Sequence, residues 1–222
     1  MILIGMLDSP FVRRVAVSLR LLEVPFEHRN WSVHRDFELI RQFNPLGRVP
    51  ALVQCDGEAL IDSSAILDFL DRAAGPERAL LPVTGDERRR ALHIISLALG
   101  AAEKGLLLLD ETLFRPQAKR YEPRIDRARG QMHGALAEID RQAQIQAGEW
   151  MVAGRMTQAD ITLTCVFGFL CDALQLGQSW VLYPGLAAIS ARCEGLPAFQ
   201  ELRAAFTPTA SVLPAEHDRA VR

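Results

Sequence analysis

NPLGRVPALVQCDGEALIDSSAIL, residues 44–67, packs a loop, two strands and a helix start into one short run. Pro50 cannot donate to a sheet ladder, so it belongs at a strand start, and ALVQC follows it directly. Asp56-Gly57 is a hairpin signal between ALVQC and EALI. SSAILDFLDRA has a helical period that stops near Gly75-Pro76, and Asp62 or Ser63 stands where a helix cap belongs. Upstream, residues 2–6 (ILIGM) read as a buried strand. Residues 9–22 read as a helix with Val12, Val15, Ala16, Leu19 and Leu22 on one face. PFEHRNWSV alternates like a second strand, and DFELIRQF makes about two helical turns before Asn44-Pro45. The order β-α-β-α-β-β-α predicts a small mixed sheet covered by helices.

After Pro82 the pattern changes. Apolar residues at 92, 95, 99, 102, 106, 109 and 113 predict one long helix within residues 85–114. Ile125, Ala128, Met132, Ala135 and Ile139 repeat that spacing in a second. ADITLTCVFGFLCDAL is apolar nearly all round, as a central buried helix would be. Two shorter helices are expected over 185–194 and 197–205. The tail from Thr207, with two prolines and no period, is expected to be loose or to lie along the surface. This divides the chain into a mixed domain (1–76), a linker (77–85) and an all-helical domain (86–222).

The chain has 222 residues, a net charge of −2 and mixed signs, so nothing favours nucleic acid or an acidic membrane surface. The apolar run at 161–170 is too short to span a bilayer. MILIGMLDSP lacks a basic n-region and a small-residue cleavage site, so no signal peptide is read and a cytoplasmic protein is expected. Cys55, Cys165, Cys171 and Cys193 form no C-x-x-C and no zinc-type spacing, which leaves structural thiols and no metal. The nucleophile elbow, the phosphate loop, G-x-G-x-x-G and H-E-x-x-H are all missing.

Three places in the first domain carry polar groups that chemistry could use. A kink at Val49-Pro50 either belongs to an ordinary loop or leaves the Val49 N–H and C=O facing outward, ready to pair with an extended peptide. Asp62 or Ser63 caps a helix. The same N-terminus also suits an anion, with a ligand carboxylate on Ser63 and an ammonium on Asp62. Ser9-Pro10 is the preferred cap followed by the preferred first helical residue, a cap worth about 1 kcal/mol. The alternative for Ser9 is a hydroxyl that donates to a thiolate. One hydrogen bond to a charged acceptor is worth about 1.5–3 kcal/mol. That would lower a bound thiol's pKa by about one or two units.

Taken in order, DSPFVRRVAV, NPLGRVPAL, IDSSAI and GEWMVAGRMTQADITL resemble the cytosolic-type glutathione S-transferases, serine-type bacterial-like members in particular. The resemblance covers nearly the whole chain. It implies a thioredoxin-like N-terminal domain followed by an all-α helical domain. It implies that Ser9 faces the glutathione sulfur, that Val49 pairs with the cysteinyl unit beside a cis Pro50, and that Asp62 and Ser63 hold the γ-glutamyl end. In the late motif, Thr157 and Asp160 would form a capping box, with Met156 and Ile161 as a hydrophobic staple. Arg48 either reaches the glycyl carboxylate or is a solvated surface charge. His34 and Arg35 lie near a place where some members put such ligands, but their spacing does not match and they are set aside. Met6 and Leu7 stand where tyrosine-type members carry their tyrosine, and no cysteine replaces Ser9. The two-serine-then-cysteine turn of the isomerase subgroup is absent too. Phe11, Leu106, Leu107, Asp110 and Phe114 are candidates for an electrophile pocket between the domains. The implied activity is transfer of an alkyl or aryl group to the sulfur of glutathione, the cosubstrate, from a hydrophobic electrophile, by a homodimer. Peroxide reduction, dehalogenation or isomerisation on the same site is an alternative, as is a non-catalytic scaffold binding ligands or protein partners.

Overall fold

The computed structural model describes residues 1–146, 148–176 and 179–206, apart from the side chains of residues 179 and 180. Strands β1 (Ile2–Ile4), β2 (Glu27–Arg29), β3 (Ala51–Val53) and β4 (Ala59–Ile61) form one sheet in the order β2-β1-β3-β4. β1 is parallel to β2 and antiparallel to β3, with Leu3 opposite both His28 and Leu52. Alternation sorts the side chains. Leu3 and Leu52 join the main core with helices α1 (Pro10–Leu21) and α3 (Ser63–Ala74). Ile4, Ala51 and Val53 pack on the other face with Ile40 of α2 (Phe37–Arg41). The predicted β-α-β-α-β-β-α order is therefore present. The second strand is shorter than PFEHRNWSV suggested, because Trp31 N–H turns back to the Arg29 carbonyl at 2.8 Å and ends the edge.

The remainder is helical: α4 (Gly85–Leu109), α5 (Glu122–Ile145), α6 (Gln158–Ala173), α7 (Ser179–Leu182), α8 (Pro184–Glu194) and α9 (Pro197–Gln200). α7 was not anticipated. The long helix expected to reach residue 114 is α-helical only to Leu109, and residues Asp110–Phe114 form a π turn. α9 stops short of 205 because the chain turns at Leu202, whose carbonyl accepts a hydrogen bond from Arg13 Nε at 3.1 Å. The tail from Thr207 lies outside the described residues. Among the described residues, Gly85–Phe114 is long and apolar enough to cross a membrane by length and composition, a stretch the sequence reading passed over. Its Ile94, Ala98, Ala101 and Leu108 are buried, and the helix packs on α5 and α6.

α1 lies between α3 and α6, and one apolar core runs through both halves of the chain. The segment between α3 and α4 is pinned through its backbone groups. Asp71 accepts hydrogen bonds from the Leu80 and Leu81 amides at 2.7 and 3.1 Å, and Gln158 N–H reaches the Leu80 carbonyl at 2.9 Å. α6 begins with the capping box. Thr157 N–H and Oγ1 donate to Asp160 Oδ2 at 2.8 and 2.9 Å, and Met151 N–H donates to Oδ1 at 2.9 Å. Burial raises the Asp160 carboxyl above its ordinary range, and these donors pull it part of the way back. Gly5, after β1, has a φ of +133°, and a Cβ there would lie 2.6 Å from Val12 Cγ2 and 2.8 Å from Val49 Cβ.

Two substitutions test these joints by urea unfolding. Asp160→Ala strands three buried donors, and each unsatisfied group costs about 1–3 kcal/mol, so the expected loss is about 3 kcal/mol or more. Gly5→Ala combines a disfavoured φ with overpacking, each worth about 1–3 kcal/mol, and should destabilise by about 2–6 kcal/mol. A loss below about 1 kcal/mol in either variant would contradict the assigned role.

Candidate functional site

Three local devices meet where the sheet half faces the helical half. The first is the β1–α1 turn. Ser9 N–H donates to the Met6 carbonyl at 3.1 Å, Arg13 N–H returns to the Ser9 carbonyl at 2.9 Å, and Pro10 opens the helix. Ser9 occupies the cap position with extended backbone, but its side chain makes no cap hydrogen bond. This corrects the cap role expected from Ser-Pro. The turn is closed by backbone groups, and the hydroxyl pairs with no group among the described residues.

The second device is the loop before β3. Asn44 is buried and staples it: Nδ2 donates to the Arg48 carbonyl at 2.7 Å, and Oδ1 accepts from Leu46 N–H at 3.1 Å. The Val49-Pro50 bond is cis. Neither the N–H nor the C=O of Val49 has a hydrogen-bond partner among the described residues. The third device is the start of α3. Asp62, at φ +69°, is the cap, and its Oδ1 accepts from the amides of Ser64 (2.7 Å) and Ala65 (3.4 Å). Ser63 is buried, and its hydroxyl makes no bond to another described residue.

These residues line two cavities. The larger, about 390 Å³, is walled by Ser9, Phe11, Arg48, Val49, Leu106, Leu109, Asp110 and Phe114 among others. The smaller, about 130 Å³, is walled by Val49, Pro50, Asp62 and Ser63, and it shares Phe11, Arg48 and Val49 with the larger. All the candidate residues lie on this pair of cavities except Leu107. One residue past Leu106 is about 100° round the helix, so Leu107 turns away from the cavity and packs against the core.

Residues the sequence reading missed complete the larger cavity. Trp31, Val33 and His34 come from the β2–α2 connection, Phe37 from the start of α2, and Phe169 and Phe206 from the helical half. PFEHRNWSV was legible only as alternating large residues. Phe169 was hidden in a helix apolar on every side. His34 had been set aside, and here its ring lies against Phe114, with centroids 5.2 Å apart. Burial raises the Asp110 carboxyl, while the neighbouring charges of His34 and Arg115 draw it down and that of Glu111 pushes it up. None of the four cysteines is in a disulfide, and burial pushes the Cys165 and Cys193 thiols up to about 12, which keeps both protonated at neutral pH. Among the described residues no group of three or more His, Cys, Asp or Glu is placed to hold a metal ion.

Comparison with known proteins agrees with this architecture. Residues 3–78 match the family profile "Glutathione S-transferase, N-terminal domain". The uncharacterized GST-like protein YibF of Escherichia coli K12 is 31% identical over 173 residues, spanning 76% of this chain and 81% of that protein. A glutathione S-transferase from Methylobacterium radiotolerans, solved in complex with glutathione sulfonate, superposes with a TM-score of 0.86 at 30% identity, covering 94% of this chain and 97% of that one. A glutathione transferase family member from Pseudomonas fluorescens, solved with bound glutathione, gives a TM-score of 0.80 at 28% identity, covering 91% and 98%. By sequence over most of its length and by fold, the chain belongs to the glutathione S-transferase family.

Proposed function

We propose that the paired cavities take glutathione as an extended peptide, and that Ser9 holds its sulfur as a thiolate for attack on an apolar electrophile. The observation that carries this reading is the unspent Ser9 hydroxyl, on a cavity wall shared with Val49. The first-turn amides of α1 lack intrahelical acceptors and add the positive end of the helix dipole at the same place. Val49 offers its free N–H and C=O to the cysteinyl unit, as an added strand would, and Pro50 sets the turn. Asp62 spends Oδ1 on the start of α3, which leaves Oδ2 for the γ-glutamyl ammonium, and Ser63 takes the α-carboxylate. Arg48 supplies an exposed guanidinium for the glycyl carboxylate. The relatives solved with glutathione or glutathione sulfonate support this assignment.

In the reaction, the glutathione thiol loses its proton to solvent. The sulfur lone pair then forms the C–S bond as the leaving group departs with its electron pair. Ser9 stabilises the sulfur anion by a hydrogen bond worth about 1.5–3 kcal/mol. On this reading residues 1–76 bind the thiol peptide, 77–85 link, and the helical half walls the electrophile. The protein works as a homodimer in the cytoplasm.

The test is a titration of bound glutathione, watching thiolate absorbance, in wild type and Ser9→Ala. Wild type should depress the thiol pKa by about one or two units, and the variant should lose most of that. Because Ser9 makes no cap bond, the same variant should keep its unfolding free energy within about 0.5 kcal/mol. Glutathione bound with an unshifted thiol would rule out the serine mechanism. A protein that does not bind glutathione would be a scaffold.

A further inference from the structure

Five side chains on the described wall of the larger cavity carry an acidic, basic or hydroxyl group: Asp8, Ser9, His34, Arg48 and Asp110. On the glutathione reading, Ser9 serves the sulfur and Arg48 the glycyl carboxylate. Guanidinium stays protonated at any ordinary pH, and an ionised carboxylate accepts without donating. Imidazole is the side chain suited to giving and regaining a proton near neutrality.

The fold holds His34 within a closed turn. Ser32 N–H donates to Asp36 Oδ2 at 2.9 Å, Asp36 N–H to the Ser32 carbonyl at 2.8 Å, and His34 N–H to Ser32 Oγ at 3.3 Å. The Arg35 guanidinium folds back on Asp36 at 2.9 Å, so of these two neighbours it is the imidazole that reaches the cavity. The His34 ring lies 5.2 Å from the ring of Phe114, which comes from the helical half. It is not among the described residues that wall the smaller cavity, where Asp62 and Ser63 stand. The imidazole therefore leans over the side meant for the second substrate. Asp110, in the same π turn as Phe114, interacts with it through charge, and Arg115 and Glu111 act on Asp110 in turn.

Building on the glutathione-transfer reading, we propose that His34 is a proton donor to electrophiles that add glutathione without losing a leaving group, namely α,β-unsaturated carbonyl compounds. The sulfur lone pair forms the C–S bond at the β carbon. The C=C pair shifts toward the carbonyl carbon, and the C=O pair moves onto oxygen. The phenyl rings of Phe11, Phe114 and Phe169 offer that oxyanion no donor, whereas the His34 N–H gives it a proton. The enol becomes the ketone in solvent, and the imidazole takes back one proton from solvent, equal to the one the thiol released.

The test compares benzylideneacetone, which adds, with a chlorodinitrobenzene, in which C–Cl breaks and chloride leaves without a proton. Each kcat/KM is divided by the uncatalysed rate with glutathione in the same buffer. The variant is His34→Phe, which keeps a ring against Phe114. General acid catalysis contributes about 10²–10⁴-fold, so addition by the variant should fall at least about tenfold further than substitution does. In wild type, turnover in D2O should slow more for addition than for substitution, and the variant should lose that difference. A fall shared equally by both reactions, with weaker glutathione binding by calorimetry, would make His34 a ligand of the peptide and overturn this inference. An unchanged ratio, or a D2O difference that persists in the variant, would overturn it too. These outcomes leave glutathione transfer intact. Wild type that binds no glutathione and turns over neither compound would remove the transfer reading and this inference together.

Discussion

A helix covered on both sides gives its polar groups little access to water, and two of the three arginines of α1, Arg13 and Arg14, lie in its buried stretch. Pro10 and residues 12–19 are all buried, because the sheet domain covers one side of the helix and α6 the other. Arg13 is resolved by a bidentate pair to Glu194, at 2.6 and 2.8 Å, and by the carbonyls of Leu202 and Phe199. Those bonds tie the last helices of the chain to the first. Ser18 and Gln158 share a hydrogen bond across the same interface. Arg14 is 2% exposed, and its Nε and Nη1 have no partner among the described residues. Burial pushes its guanidinium down to about 10, which still leaves a cation at neutral pH, within reach of the Asp62 charge. Once α1 is locked in this way, the position of its first turn, and so of Ser9, is set by the whole fold.

That constraint marks the limit of local reading. The sheet half was legible because its signals are short-range: Asp56-Gly57 in the hairpin, Pro50 before a strand, Gly75 after a helix. The α4 and α5 periodicities were legible because each helix keeps one solvent face. The α1 pattern was read as a single apolar face, which gave Arg13 and Arg14 no place. Nothing within residues 9–22 announces a second covering layer 150 residues away. The short α7, the π turn and the early end of α9 were missed for a related reason. Each is set by what packs beside it, as the Arg13 bond to the Leu202 carbonyl shows for α9.

The candidate site divides along the same line. Val49, Pro50, Asp62 and Ser63 could be found from sequence because proline chemistry and helix capping restrict a few neighbouring residues. Ser9 was found by the same logic and offered two roles, a cap and a donor to a thiolate; the cap bond is absent and the hydroxyl is unspent. Asn44 was passed over even though Asn-Pro marks a turn, because the value of its side chain lies in two bonds across the loop. Trp31, His34, Phe169 and Phe206 come together only in three dimensions, and no single period identifies them. Leu107 failed by one position on a helix, where one position is more than a quarter turn.

The two walls of the cavity are therefore held in physically different ways. On the sheet side the backbone does the holding, through the Asn44 staple, the Asp62 cap and the Gly5 contact that lets Val49 sit against α1. Groups offered there include the main-chain N–H and C=O of Val49 and the short side chains of Asp62 and Ser63 at the start of α3. On the helical side the wall is made of side chains projecting from α4, its π turn and α6, over a core that does not depend on their tips. Substitution at Asp110 or Phe114 can reshape that wall without disturbing α4 below Leu109. On the proposed reading, a fold built this way can change the second substrate while keeping the first, because the side chains that would face the electrophile are not those that would fix the peptide-binding edge.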